Sequence, residues 1–410
     1  MTQVKIIDGN TAVVEAMRQI DLDVVAGFPI TPTSSVMEKF SVYVDNGELD
    51  TELILAESEH AAMSACVGVS AGGGRTMTAT SSQGLELMHE VLYNASGMRL
   101  PIVLINGNRA LSAPLSIHCD HSDIMAVRDT GWIILMAKDA QEAYDLTLQA
   151  FRIAEDMRVR TPIIVAMDGF QTTHTKQRVQ IEDSSKVKDF VGEHKTLNPL
   201  LDVDNPVSYG GATKPDYFTE CKRSQLEGLI ESRKVIPEIA GEFKTQFERD
   251  YIKSGEDYML DDADFVFVLM GSMYGTVKEG VDMLREKGIK VGVLRLRTFR
   301  PFPAQYIQEK LANKKNIAVF DRTFSAGANG APLFTEIRNA LYARSNAKVV
   351  PFTVGLGGRD IFPEDLEECI GLFDKEIDYM ESYWLRLRGK NKKLINMRRI
   401  FRQSLICMEG

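Results

Sequence analysis

Three clusters in the first third of the chain have side-chain types and spacing suited to chemistry. The first is Gly27-Phe28-Pro29-Ile30-Thr31-Pro32. Its two prolines stiffen the turn and restrict the residues before them. A rigid turn presents the Thr31 hydroxyl in a fixed direction, although the same residues also suit a plain strand-to-helix turn. The second is Glu57-Ser58-Glu59-His60, which opens a stretch of small residues at Ala61, Ala62, Ala65, Gly68 and Ala71. Such a helix approaches a neighbouring backbone closely. A carboxylate such as Glu59 in its first turn is favoured by the helix dipole, so its position alone reads mainly as stabilisation of the helix. The third is Asn106-Gly107-Asn108-Arg109, followed by Ser116-Ile117-His118-Cys119-Asp120-His121-Ser122-Asp123. Arginine binds two carboxylate oxygens at once, so Arg109 suits either a substrate carboxylate or a structural ion pair. His118, Asp120, His121 and Asp123 have the chemistry of metal ligands. Dense polar loops at sheet ends are common without metal, and none is assigned.

These clusters need strands to position them. Apolar runs at Val24–Ala26, Leu53–Leu55, Met77–Ala79, Ile102–Ile105, Ile133–Leu135 and Ile163–Ala166 predict strands. Helical spacing fills Ala12–Ile20 and Gln141–Arg158, and Ser35 with Glu38 reads as a capping box. The alternation predicts an α/β fold with a mostly parallel sheet. All three clusters follow strands, where open parallel sheets bind ligands.

Lys176–Pro215 reads as an extended connection, and Glu220–Tyr251 as a long charged helix. A second α/β set follows. Its strands lie at Asp264–Met270, Lys290–Leu296, Asn316–Phe320 and Val349–Val354, and its helices at Tyr274–Lys287, Ala304–Ala312, Ala331–Ala343 and Glu364–Asp374. Gly271-Ser272 with Gly275 is a weak echo of a phosphate loop and reads mainly as a turn, as does Gly355–Asp360. The expected domains are 1–250, 251–376 and a basic tail, 377–410.

The 410 residues are 44% hydrophobic and 26% charged, with a net charge of −9. That acidic balance argues against nucleic acid as a partner. No apolar run reaches the roughly 18 residues of a membrane span, and a cytoplasmic location is expected. Cys66, Cys119, Cys221, Cys369 and Cys407 form no C-x-x-C pair, which argues against an iron–sulfur cluster held by this chain alone.

Together the blocks resemble a known family. GFPITPTSSVMEKF is similar to the YPITP-type signature of 2-oxoacid:ferredoxin oxidoreductases, with Phe28 where the family usually has tyrosine. ESEHAAMSACVGVSAGGGRTMTATSSQGLELMHE resembles the family's thiamine-facing segment, and INGNRALSAPLSIHCDHSD its substrate loop. RLRTFRPFPAQYI and VGLGGRDIFPEDL are similar to its second domain. The resemblance runs to about Asp374.

It implies a pyrimidine-type thiamine diphosphate domain followed by a transketolase C-terminal-like domain. It implies an alpha-type subunit that cleaves a 2-oxoacid oxidatively with coenzyme A and passes electrons to ferredoxin. Glu59 then meets the cofactor's aminopyrimidine, with Pro29 and Ile30 beside it, and Thr31 and Arg109 meet the substrate. No G-D-G motif with a following asparagine is present, Asp168-Gly169 lacking the leading glycine. A beta-type partner is therefore expected to share the cofactor and to hold Mg2+ and a [4Fe–4S] cluster. The family's split forms imply gamma and delta subunits as well. Pyruvate is the expected substrate, because the thiamine domain starts almost at once and a single arginine suits a monocarboxylate. The alternatives are 2-oxoglutarate, a branched 2-oxoacid or oxalate. From other classes come a non-catalytic scaffold and a metal-dependent hydrolase built on His118, Asp120 and His121. The joint presence of Thr31, Glu59 and Arg109 speaks against the scaffold.

Overall fold

The computed structural model describes residues 2–376 and 382–388. The basic tail expected at 377–410 lies almost wholly outside them.

The apolar runs of the first part become one sheet. Its strands lie side by side in the order Thr298–Arg300, Ile133–Ala137, Ile163–Asp168, Val103–Asn108, Thr76–Thr80, Val24–Gly27, Glu52–Leu55. All neighbours run parallel except Thr298–Arg300, which is antiparallel to Ile133–Ala137 through an irregular register. Helices cover both faces, so the central strands are buried end to end. This is why they read as continuous Val/Ile/Leu runs and not as alternations. The helix Gly9–Gln19 starts where Asp8 accepts the Thr11 N–H. Ala140–Glu155 starts the same way, with Asp139 accepting from Glu142.

A second sheet has the order Tyr383–Trp384, Lys348–Thr353, Asn316–Asp321, Phe265–Met270, Val291–Leu296, Gly255–Tyr258. Only Gly255–Tyr258 is antiparallel to its neighbour. The sheets share one apolar cluster in which Leu104 and Ile134 join Leu294, Phe299 and Phe334. A buried ion network crosses the same junction. Arg295, fully buried, places Nη2 2.7 Å from Glu142 Oε1, and Arg297 reaches the same carboxylate. Burial alone would raise the Glu142 pKa, but Arg295 and Arg297 bring it down to about 2.

Two expectations fail locally. Ser35 and Glu38 form no capping box. The helix Ser34–Asp45 is capped at Thr33, which makes no side-chain cap bond, and the Ser35 hydroxyl instead accepts from Asn10 Nδ2 at 2.8 Å. The Lys176–Pro215 connection is not wholly extended. Gln177–Ile181 is a strand paired antiparallel with Gln3–Ile7, and Ser184–Val191 is a helix. Residues 192–214 do run without helix or strand. There Leu200 N–H donates to Ala71 O and the Thr196 hydroxyl to Gly73 O, which ties the segment to the end of helix Glu59–Gly72. The charged helix spans Pro215–Phe247, with Pro215 in the favoured first turn.

Asp321 shows how burial sets a pH response. Its carboxylate accepts the N–H groups of Leu333 and Phe334 at the start of helix Pro332–Leu341. Burial nevertheless pushes its pKa from 3.8 up to about 7. The folded chain thus binds this proton more tightly than the unfolded one. The associated stability is complete below the unfolded value and falls as pH rises through the folded one. Asp321→Asn is expected to reduce the drop in thermal midpoint between pH 6 and pH 8, read by calorimetry at both. An unchanged drop would contradict this.

Candidate functional site

The candidate residues sit beyond the carboxyl ends of four adjacent strands. Glu59 follows Glu52–Leu55, Thr31 follows Val24–Gly27, the Ser81–Gly84 turn follows Thr76–Thr80, and Arg109 follows Val103–Asn108 directly. The parallel register carries all four to one edge of the sheet.

Glu59 opens helix Glu59–Gly72, whose cap is the Ser58 hydroxyl accepting from Ala61 N–H. Its side chain is 6% exposed, and no hydrogen bond or ion pair holds its carboxylate among the described residues. A buried carboxylate without a partner is costly unless something else satisfies it. The wall beside it has two further features. A Cβ at Gly84 would lie 2.5 Å from Glu59 Oε1 and 2.5 Å from Thr80 Oγ1. The Thr80 hydroxyl is itself buried without a partner. Gly84 is therefore kept bare so that the Glu59 carboxylate and the unpartnered Thr80 hydroxyl can both lie against its backbone. Gly84→Ala is expected to lower turnover by about tenfold or more, since overpacking of about 1–3 kcal/mol must displace Glu59. Steady-state kinetics of the assembled enzyme checks it, and unchanged turnover would contradict it.

Arg109 and Thr31 come together. The Arg109 guanidinium donates from Nη1 to Thr31 O at 2.8 Å and from Nε to Ser116 O at 3.2 Å. Its Nη2 has no partner among the described residues. Burial lowers the Arg109 pKa, and nearby Asp123 opposes that shift. Thr31 is exposed, and its hydroxyl makes no hydrogen bond among the described residues. Pro29 is exposed and Ile30 half-buried in the same turn, which is closed by Thr33 N–H donating to Ile30 O.

The polar loop after Arg109 does not converge as a metal site on His118, Asp120, His121 and Asp123. His118 is exposed and packs on the Phe170 ring, centroids 5.1 Å apart. Asp120 accepts from Ser122, and Asp123 takes main-chain donors. His121 turns to Asp168 instead, with Nε2 2.8 Å from Oδ1. Cys119 Sγ also lies within 4.8 Å of that pair, but Arg322 already supplies the positive charge there. Its Nη1 is 3.0 Å from Asp168 Oδ2, and Ser272 donates to the same oxygen from both N and Oγ. Burial would raise the Asp168 pKa, yet His121 and Arg322 hold it far below the usual carboxylate range. Asp168, which ends a strand of the first sheet, thus binds turns of the second sheet. The loop is also seated there, with Gly358 N–H donating to Cys119 O and His121 N–H to Arg322 O.

Two family models match the chain. The model for pyruvate flavodoxin/ferredoxin oxidoreductase, thiamine diphosphate-binding, covers residues 15–240. The model for pyruvate:ferredoxin oxidoreductase core domain II covers residues 263–366. The chain belongs to the pyruvate flavodoxin/ferredoxin oxidoreductase family. Family members of similar sequence include pyruvate synthase subunit PorA of Thermotoga maritima, 49% identical over 88% of this chain and 92% of that one. PorA of Methanocaldococcus jannaschii is 45% identical over 95% and 99%. Ketoisovalerate oxidoreductase subunit VorA of Pyrococcus horikoshii is 43% identical over 92% and 97%. The fold of this oxidoreductase chain matches the 2-oxoglutarate:ferredoxin oxidoreductase of Magnetococcus marinus with a TM-score of 0.70. That match is 21% identical and covers 91% of this chain and 65% of the other.

Sequence reasoning singled out Glu59, Thr31 and Arg109, which lie together at one sheet edge, but not the neighbouring Thr80 and Gly84 or the Asp168–Arg322 pair. The small-residue run Ser81-Ser82-Gln83-Gly84 after a strand was the available signal for the first pair. The second pair meets only across 154 residues of chain.

Proposed function

We propose that this chain is the alpha-type subunit of a thiamine-diphosphate-dependent 2-oxoacid:ferredoxin oxidoreductase. With partner subunits in the cytoplasm it converts pyruvate and coenzyme A to acetyl-CoA and carbon dioxide, passing two electrons to ferredoxin. The single observation that carries this is the placement of a buried, unpartnered Glu59 and an Arg109–Thr31 pair at one sheet edge, in a chain of this family.

The residues fit the cofactor. Gly84 lets the Glu59 carboxylate and the unpartnered Thr80 hydroxyl come close together, a pair of polar groups suited to a nitrogen-bearing ring. When bound, thiamine diphosphate supplies a carbon nucleophile and an electron sink for decarboxylation. Glu59 would share a proton with the pyrimidine ring nitrogen, its burial limiting competition from water. Pro29 and Ile30 of the rigid turn would help to hold the cofactor. Arg109 binds the substrate carboxylate through Nη2 while its other nitrogens stay anchored to the backbone. Thr31 donates its hydroxyl to the same carboxylate. Holding the reacting groups in register contributes up to roughly 7–11 kcal/mol in favourable cases.

The division of labour follows. Residues 1–250 form the pyrimidine-type domain and residues 251–376 the transketolase C-terminal-like domain. A beta-type subunit holds the diphosphate, Mg2+ and a [4Fe–4S] cluster, with gamma and delta subunits completing the complex.

The test is 2-oxoacid-dependent ferredoxin reduction by the purified complex, with pyruvate, 2-oxoglutarate, 2-oxoisovalerate and oxalate in parallel. The highest kcat/KM with pyruvate supports the reading. Preference for another acid keeps the mechanism and overturns the substrate. No activity in a cofactor-loaded complex overturns the function.

A further inference from the structure

We infer that Asp123 is a positioning residue for the substrate-binding arginine, its buried carboxylate fixing Arg109 and the neighbouring strand end in one frame. The inference rests on the reading of Arg109 as the carboxylate anchor.

Asp123 is completely buried. Its Oδ2 accepts three hydrogen bonds, from Arg109 N–H at 3.0 Å, Ser82 N–H at 2.9 Å and Asn106 Nδ2 at 3.1 Å. Oδ1 accepts a fourth, from Ile124 N–H at 2.7 Å. All four neighbours donate, so the site calls for a side chain that only accepts. An ionised carboxylate is that side chain, whereas asparagine has a single acceptor oxygen and would turn an NH2 toward a donor.

The donors come from different pieces of the site. Arg109 and Asn106 belong to one strand end and Ser82 to the next. Ser82 has φ of +51°, a region that a non-glycine residue keeps only when its surroundings enforce it. Asp123 and the Ser82 hydroxyl bond to Ala110 O supply that enforcement. Two residues further on, Gly84 meets Glu59. One carboxylate therefore links the backbone of the substrate anchor to the wall behind the cofactor-facing glutamate.

No ion pair to Asp123 is present among the described residues. The Arg109 guanidinium and the Cys119 thiol both sense its charge. Burial pushes the Asp123 pKa up to about 7 even against four donors. A group so costly to keep ionised fits a demand for geometry better than a demand for stability.

The experiment compares wild type, Asp123→Asn, Arg109→Lys and the double variant in the assembled complex. Asp123→Asn is expected to raise KM for pyruvate about tenfold with a smaller change in kcat, because one charge-assisted bond and its alignment are lost. KM for coenzyme A should stay at the wild-type value, which a general loosening of the fold would not allow. The double variant should be little worse than Arg109→Lys, because both changes act on one anchor. A raised pyruvate KM in Arg109→Lys with none in Asp123→Asn overturns this inference alone. An unchanged pyruvate KM in Arg109→Lys overturns the anchor and this inference together. Parallel rises in both KM values, or full additivity, also overturn it. If Asp123→Asn does not assemble, Asn106→Ala removes one donor and should give the same split in smaller measure; no shift in pyruvate KM would overturn the inference.

Discussion

Glu59→Gln is expected to lower kcat of the assembled enzyme with pyruvate by about 10²–10⁴, the usual contribution of a positioned proton-transfer group. Glutamine keeps the length and shape of the side chain, so the helix cap at Ser58 and the Gly84 contact survive. What it removes is the ability to share a proton with a ring nitrogen. The local setting makes that loss large. Glu59 is buried, has no partner among the described residues, and lies close to the unpartnered Thr80 hydroxyl. Steady-state kinetics with saturating cofactor checks it, since saturation separates weakened binding from weakened chemistry. A fall of less than tenfold would mean that Glu59 mainly stabilises its helix.

Arg322→Met is expected to destabilise the chain by about 3–5 kcal/mol, the cost of leaving a buried charge without its partner. Asp168 is fully buried and Arg322 is 4% exposed. Their 3.0 Å pair joins the end of one sheet to the turn after a strand of the other. Methionine fills similar space but leaves Asp168 with only His121, Ser272 and Asn108. Denaturant unfolding of the wild type and variant reads the effect directly. Pairing it with Asp168→Asn sharpens the result. The double variant should lose less than the sum of the singles, because neither charge is then stranded. A loss below about 1 kcal/mol, typical of an exposed pair, would contradict a structural role for this ion pair.

What could be read from the sequence follows from how local each signal was. The parallel strands announced themselves because burial on both faces leaves uninterrupted runs such as Val103–Ile105 and Ile163–Val165. Gln177–Ile181 was missed because its partner, Gln3–Ile7, lies far away in sequence and half of each strand faces water. Thr31, Glu59 and Arg109 could be singled out as candidates because each stands just beyond a legible strand. Asp168 was weighed only as an incomplete magnesium motif. Its role depends on Ser272 and Arg322, which no spacing rule connects to it. Asp123 was grouped with His118, Asp120 and His121 as a possible ligand, since composition shows carboxylates but not which way they turn. Ser272 was correctly read as part of a turn, and the structure adds that the turn binds Asp168.

The most direct measurement is the exchange rate of the thiazolium C2 proton of thiamine diphosphate, followed by NMR after quenching, in the complex with wild-type chain and with Glu59→Gln. Exchange is expected to be slowed by about 10² or more in the variant if, as proposed, Glu59 promotes loss of that proton. Equal exchange rates, with cofactor bound in both, would contradict the assignment of Glu59 and the half-site built around it.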